Sequence, residues 1–212
     1  MDRFWFLTST TYGNWLPGDE RGFVGPVRSP LGVQTIHNLP GTEYDRDIPW
    51  LRQHAATALK GPPISFARAH ADVIFRQFYE TAQYRRWNLS AVGIMATHFH
   101  IVVGVLGDPD PSDVLGDFKS YASRALNGKW SRPKSDTWWT ESGSKRKLGG
   151  QLAVLPAVDY IRHQPSPLLI WIAGEDPSPE LKQRGTSIRV QRKPGGTNSL
   201  RIGAHPPLAK AY

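Results

Sequence analysis

Leu89-Ser90-Ala91-Val92-Gly93-Ile94-Met95-Ala96-Thr97-His98-Phe99-His100-Ile101-Val102-Val103-Gly104-Val105 is the stretch on which the fold turns. Leu89 to Met95 and Phe99 to Val105 each have strand length and a Val- and Ile-rich apolar composition. Only Ala96, Thr97 and His98 separate them, so a tight antiparallel hairpin is the natural connection. In a strand, residues i and i+2 share a face. His98 and His100 therefore point one way, and Phe99 points the other way, into a core.

Working outward, Ala69, Val73, Ile74, Phe78 and Ala82 recur at helical spacing, with Arg76, Arg85 and Arg86 off that stripe. They predict a helix from about Phe66 to Trp87, opening after the Pro62-Pro63 break. Downstream, Asp108-Pro109-Asp110-Pro111-Ser112-Asp113 reads as a loop ending in an N-cap at Asp113. A second helix follows from Val114 to Asn127, closed by Gly128. Near the start, Phe4 to Thr8 reads as a short buried strand, followed by a turn-rich stretch through Gly22. Gly25 to about Pro49 has neither a helical nor an alternating period and is expected to be a long loop or surface insertion. Trp130 to Gly150 reads as basic loop with a short strand near its end. Leu152 to Leu155 is either a last strand or the lead into a helix that begins at Pro156 and is stopped by Pro165 and Pro167.

The succession strand, helix, strand, strand, helix, late strand predicts an α+β fold: a ferredoxin-like (RRM-like) antiparallel sheet with helices on one face. One domain is expected over residues 1–174. Residues 175–212, rich in Pro, Gly, Lys and Arg, are expected to form a basic and poorly ordered tail.

The 212 residues carry a formal net charge of +8 and no cysteine. Disulfides and thiolate metal sites are thereby excluded. The basic surface favours a polyanionic partner, with nucleic acid the commonest, and tryptophans among Arg and Lys suit unpaired bases. No apolar run reaches the ~20 residues that span a bilayer. Met1 to Trp5 lacks the features of a secretion signal, and a cytoplasmic location is expected. No phosphate-cradling GxxxxGK[ST] string occurs, and no serine-histidine-acid set stands out.

Two imidazoles on one strand face can grip a cation if a third ligand joins them, although such strings also occur as polar hairpin ends. Tyr160 and Gln164, four residues apart on the late helix, share one face. The Gln164 carbonyl oxygen is a hard ligand suited to Mg²⁺ or Mn²⁺. A phenol near pKa ~10 is a poor nucleophile unless a positive neighbour helps it. A core tyrosine followed by a helix-capping glutamine is the bland alternative.

His98-Phe99-His100 resembles the histidine–hydrophobic–histidine motif of HUH endonucleases. Tyr160-Ile161-Arg162-His163-Gln164 resembles the tyrosine helix of their single-tyrosine transposases. The opening Thr11-Tyr12-Gly13-Asn14-Trp15-Leu16-Pro17-Gly18-Asp19-Glu20-Arg21-Gly22 is similar to relatives associated with palindromic genomic repeats. The resemblance spans roughly Arg3 to Gln164. Ala96-Thr97 departs from the Pro and Asp or Asn that often precede the first histidine. The resemblance implies Tyr160 as nucleophile and His98, His100 and Gln164 as ligands of Mg²⁺ or Mn²⁺, with His163 an alternative third ligand. It also implies a 5′-phosphotyrosine intermediate, a hairpin-forming single-stranded DNA substrate and a homodimer.

Tyr121 is the rival nucleophile, but its i+4 neighbour Ala125 cannot ligate a metal. Lys119 and Arg124 on that helix are expected to contact phosphates, and Trp138, Trp139, Lys145, Arg146 and Lys147 to form a DNA-guiding strip. Two other functional classes compete: a catalytically silent hairpin-DNA binder of the same fold, and a zinc enzyme using His98 and His100.

Overall fold

The computed structural model describes residues 1–20, 25–28, 34–37, 48–177 and 179. In chain order the elements are β1 (Arg3–Thr10), β2 (Gly25–Arg28), β3 (Gln34–His37), α1 (Pro49–Thr57), α2 (Arg68–Arg85), β4 (Asn88–Ile94), β5 (His98–Val105), α3 (Pro111–Asn127), β6 (Ser144–Leu148), α4 (Val154–Arg162) and β7 (Leu169–Ile172). Five strands make one antiparallel sheet in the order β6-β1-β5-β4-β7. The run β1, α2, β4, β5, α3, β6 is the predicted strand, helix, strand, strand, helix, strand, and the fold is α+β.

The β4–β5 hairpin forms where the apolar pattern requires it, with Met95 N–H donating to the His98 carbonyl across the turn at 2.8 Å. Alternation along β5 then builds two layers. Phe99, Ile101, Val103 and Val105 enter the main core beneath α2 and α3. Val102 enters a smaller cluster on the opposite face, with Val158 and Ile161 of α4. Helices on one face thus describes α2 and α3, while α4 crosses the other face. In the main core the Phe78 ring meets Phe99 edge-on at 4.9 Å and Phe118 at 5.3 Å. These contacts tie both helices to the central strand.

Several elements depart from the sequence expectation. Part of the expected loop at Gly25–Pro49 is a two-stranded antiparallel pair, β2 with β3; the rest of that segment lies outside the described residues. Helix α1, opened by Pro49 in its first turn, and the edge strand β7 were not assigned at all. Leu152 to Leu155 is no strand: residues 151–153 form a 3₁₀ turn that leads into α4 at Val154. The expected tail falls outside the described residues except for 175–177 and 179. Among the described residues, no helix is long and apolar enough to cross a membrane.

The N-cap of α3 is Asp110 and not Asp113: its carboxylate accepts from Ser112 N–H at 2.7 Å, and Pro111 opens the helix. Asp113 sits in the first turn, where it contributes only a favourable charge near the positive end of the helix. Asp110→Ala is therefore expected to lower the melting temperature by roughly 2–4 °C, and Asp113→Ala by less, in parallel thermal melts.

Candidate active site

The site grows from the sheet face that carries α4. Antiparallel pairing sets Thr8 of β1 opposite His100 of β5, and Thr10 opposite His98. Thr8 Oγ1 and His100 Nδ1 share a hydrogen bond of 2.7 Å, and Thr97 Oγ1 lies 3.3 Å from His98 Nδ1. The two imidazole centroids are 5.0 Å apart. Phe6, two residues before Thr8 and so on its face, stacks over His100 at 5.2 Å with an 18° interplanar angle. Burial, and secondarily the nearby His98, push the His100 imidazole down to about 4, against a hydrogen bond with the Gln164 side chain that favours the charged ring. At neutral pH His100 is uncharged, the form in which imidazole ligates a cation.

Helix α4 reaches this face through Val158 and Ile161. Ile161 rests over Gly93 of β4, the Cα partner of His100; a Cβ on that glycine would lie 2.9 Å from Ile161 Cγ2. The absence of a side chain at Gly93 lets the helix come this close. Tyr160 is thereby carried to the histidines, its ring 5.5 Å from His100 and edge-on to Phe6 at 5.7 Å. It is 54% exposed, so its phenol is open to a large substrate. Phenol and imidazoles belong to the same chain.

Gln164 does not sit on the tyrosine helix, as the i, i+4 spacing predicts. The helix ends at Arg162 with His163 as its C-cap, and Gln164 lies just beyond. Its Nε2 donates to the Tyr160 carbonyl at 3.2 Å, and the same side chain lies near enough to His100 to favour its charged ring. The bland expectation of a glutamine capping the helix end is thus met by the bond to the Tyr160 carbonyl. His163 turns elsewhere: its Nδ1 lies 2.9 Å from the Asp159 carbonyl oxygen.

These residues fit a divalent cation of the kind the resemblance implies. Two imidazoles share a face, each with Nδ1 near a threonine hydroxyl, the outer contact that commonly orients a ligating ring. The Gln164 side chain is within hydrogen-bond reach of one of them. A zinc site built from histidine and carboxylate alone fits less well. Among the described residues, no group of three His, Cys, Asp or Glu gathers as zinc would need.

The expected DNA-contacting residues divide. Trp138 and Trp139 are core and not stacking platforms: they are 6% and 3% exposed. Their indole N–H groups donate to Asn127 Oδ1 at 2.8 Å and to Ser123 Oγ at 2.9 Å. Lys119 is likewise committed to the fold. Its ammonium donates to the carbonyls of Thr140, Glu141 and Ser142 at 2.5, 3.1 and 3.1 Å. Burial, then Lys145, brings it down to about 8. Lys119→Met should cost about 1–2 kcal/mol of stability, because those carbonyls lose their donor. Paired unfolding titrations of the variant and wild type would record the loss.

Arg124 lies over the Tyr121 ring at 5.0 Å on α3. The sheet separates that helix from the histidine face, so Tyr121 is not brought to the site. The Lys145-Arg146-Lys147 run is split by the strand it occupies. Arg146 pairs with Phe6 and shares its face, whereas Lys145 and Lys147 pair with Leu7 and Trp5 and belong to the α3 side. Thr8 and Phe6, which contact His100 directly, were not singled out from sequence. The alternation Phe4, Phe6, Thr8 against Trp5, Leu7 is visible there, but which strand lies alongside it is not.

No protein-family profile matches this sequence, and no curated protein matches it. A solved structure of a REP-associated tyrosine transposase bound to a REP hairpin is similar at 14% identity and a TM-score of 0.40. The match covers 75% of this chain and 64% of that one, so the chain spans under two thirds of the length of this structural neighbour.

Proposed function

We propose that this chain nicks and rejoins single-stranded DNA at hairpin-associated sites, with Tyr160 as the nucleophile. The observation that carries this reading is that Tyr160, both imidazoles and the Gln164 amide converge within one chain on the sheet face that α4 crosses, with the Tyr160 ring exposed. The basic charge of +8 supports a polyanionic substrate.

The Tyr160 oxygen bonds to the scissile phosphorus, its proton passing to solvent, and the bond to the 3′ oxygen breaks. That oxygen leaves as a 3′-hydroxyl after taking up a proton, and the DNA remains joined to Tyr160 through its 5′ phosphate. The phosphodiester is conserved in the tyrosine ester, so attack by a 3′-hydroxyl reverses the step without an external energy source. Phe6 and His100 fix the plane of the phenol, Gln164 holds the last turn of α4, and Thr8 orients the His100 ring. A Mg²⁺ or Mn²⁺ ion held by His98, His100 and Gln164 would supply charge withdrawal at the phosphate and a field favouring the phenolate. A single copy carries all these groups; dimerisation, expected from the resemblance, would serve in pairing two DNA ends.

The test is incubation of the full chain with a 3′-labelled hairpin oligonucleotide and Mg²⁺ or Mn²⁺, followed by a denaturing gel. A labelled protein band that maps to the Tyr160 peptide and disappears with EDTA is the expected result. Hairpin binding without an adduct under either metal would overturn nicking and leave a silent binder.

A further inference from the structure

Between α4 and the edge strand β6 runs a groove of about 620 Å³ that ends at Tyr160. One wall is small, with Ala153, Pro156 and Ala157 of the α4 side; the other is Arg146, Lys147 and Leu148; Phe6 contributes to the lining. No acidic residue lines it. A strand whose phosphate lies at the Tyr160 oxygen has this channel available for its next nucleotide.

Arg146 and Lys147 of the basic run both line the channel, and the one whose side chain shares the tyrosine face is Arg146. The β1–β6 register sets it beside Phe6, on the tyrosine face. Its two neighbours face acidic groups on the far side: Lys147 acts on Asp108, and Lys145 on Asp110. Among the described residues, no hydrogen bond or ion pair occupies the Arg146 guanidinium. A planar guanidinium with five donors is suited to phosphate oxygens, which it can grip in a bidentate fashion.

We infer that Arg146 is a positioning residue that grips the phosphodiester neighbouring the scissile one, so that the strand lies along the α4–β6 groove and presents its reacting phosphate to Tyr160. This rests on the nicking reading above and adds to it a single, located phosphate contact.

The experiment is a neutral-linkage scan. Hairpin oligonucleotides each carry one methylphosphonate at successive positions flanking the cleavage site, and wild type, Arg146→Gln, Arg146→Lys and Lys145→Gln are compared on them. With unmodified DNA, Arg146→Gln should raise the half-saturating DNA concentration about tenfold, leave the maximal adduct rate within about twofold, and reduce the salt dependence of binding by about one phosphate contact. Arg146→Lys should recover part of the loss, and Lys145→Gln, which lies outside the groove, should behave as wild type. One neutral linkage beside the scissile phosphate should weaken wild type as much as Arg146→Gln does, and should weaken Arg146→Gln no further. Additive losses at every position, or an unaffected Arg146→Gln, would overturn the contact. If wild type forms no adduct, the nicking reading fails separately, and binding isotherms on the same series still decide the contact. Thermal melts of each variant check that the exposed edge strand tolerates the change.

Discussion

Tyr160→Phe is expected to abolish the covalent protein–DNA band while leaving the protein as stable as before and still able to bind hairpin DNA. The substitution removes one atom. The ring that remains keeps its contacts with His100 and Phe6, at 5.5 and 5.7 Å. The hydroxyl donates to no group among the described residues, and the side chain is more than half exposed. Its loss should therefore move the unfolding free energy by no more than about 0.5 kcal/mol. The reaction has no substitute for that oxygen, since loss of the group that forms the covalent bond costs several orders of magnitude. A fall in adduct formation of roughly 10⁴-fold or more is the expected size. Tyr121→Phe should leave the band intact, because α3 and its tyrosine lie across the sheet from the histidines. Both variants run beside wild type on one gel, with thermal melts as control. Loss of the band in Tyr121→Phe and its persistence in Tyr160→Phe would reverse the assignment.

How far the sequence carries can be judged residue by residue. The hairpin at the centre was legible because two Val- and Ile-rich runs flank a gap too short for any other connection. The same geometry fixed which way His98 and His100 point. Helices α2 and α3 were legible from their apolar period. What failed depended on partners distant in the chain. Leu169-Ile170-Trp171-Ile172 was silent because the short apolar run between Pro167 and Gly174 shows no period, and only pairing with β4 makes these four residues a strand. Lys145-Arg146-Lys147 reads as one basic patch until β1 lies alongside and sends its members to opposite faces. Trp138 and Trp139 beside basic residues imitate a stacking platform, yet their indoles are consumed by the core. Gln164 shows the same limit at short range. Its spacing from Tyr160 suggested one continuous helix, but the chain closes that helix two residues earlier and brings the amide back by a hydrogen bond to the Tyr160 carbonyl.

Replacing Gly93 by valine should cost the site its geometry without touching any group that reacts. Gly93 lies in the middle of β4, paired to His100 on one side and to Ile170 on the other, so the strand cannot retreat without disturbing both neighbours. Above it the fully buried Ile161 comes within 2.9 Å of where a Cβ would stand. A valine there must push α4 away from the sheet, and overpacking of this kind costs about 1–3 kcal/mol. Ile161 adjoins Tyr160 on the same helix, so the phenol moves with it. A displacement near 1 Å in a group that must meet phosphorus in line can cost about 100-fold in rate. The expected result is an adduct rate lowered by about that factor, with hairpin binding largely kept, because phosphate contacts made elsewhere on the surface persist. Gly93→Val combined with Ile161→Ala removes the offending methyl and should recover activity beyond the sum of the two single effects. Should Gly93→Val nick at the wild-type rate, the close seating of α4 would have no part in aligning the nucleophile. Should the double variant fail to recover while remaining folded, the loss would come from β4 itself and not from the helix above it.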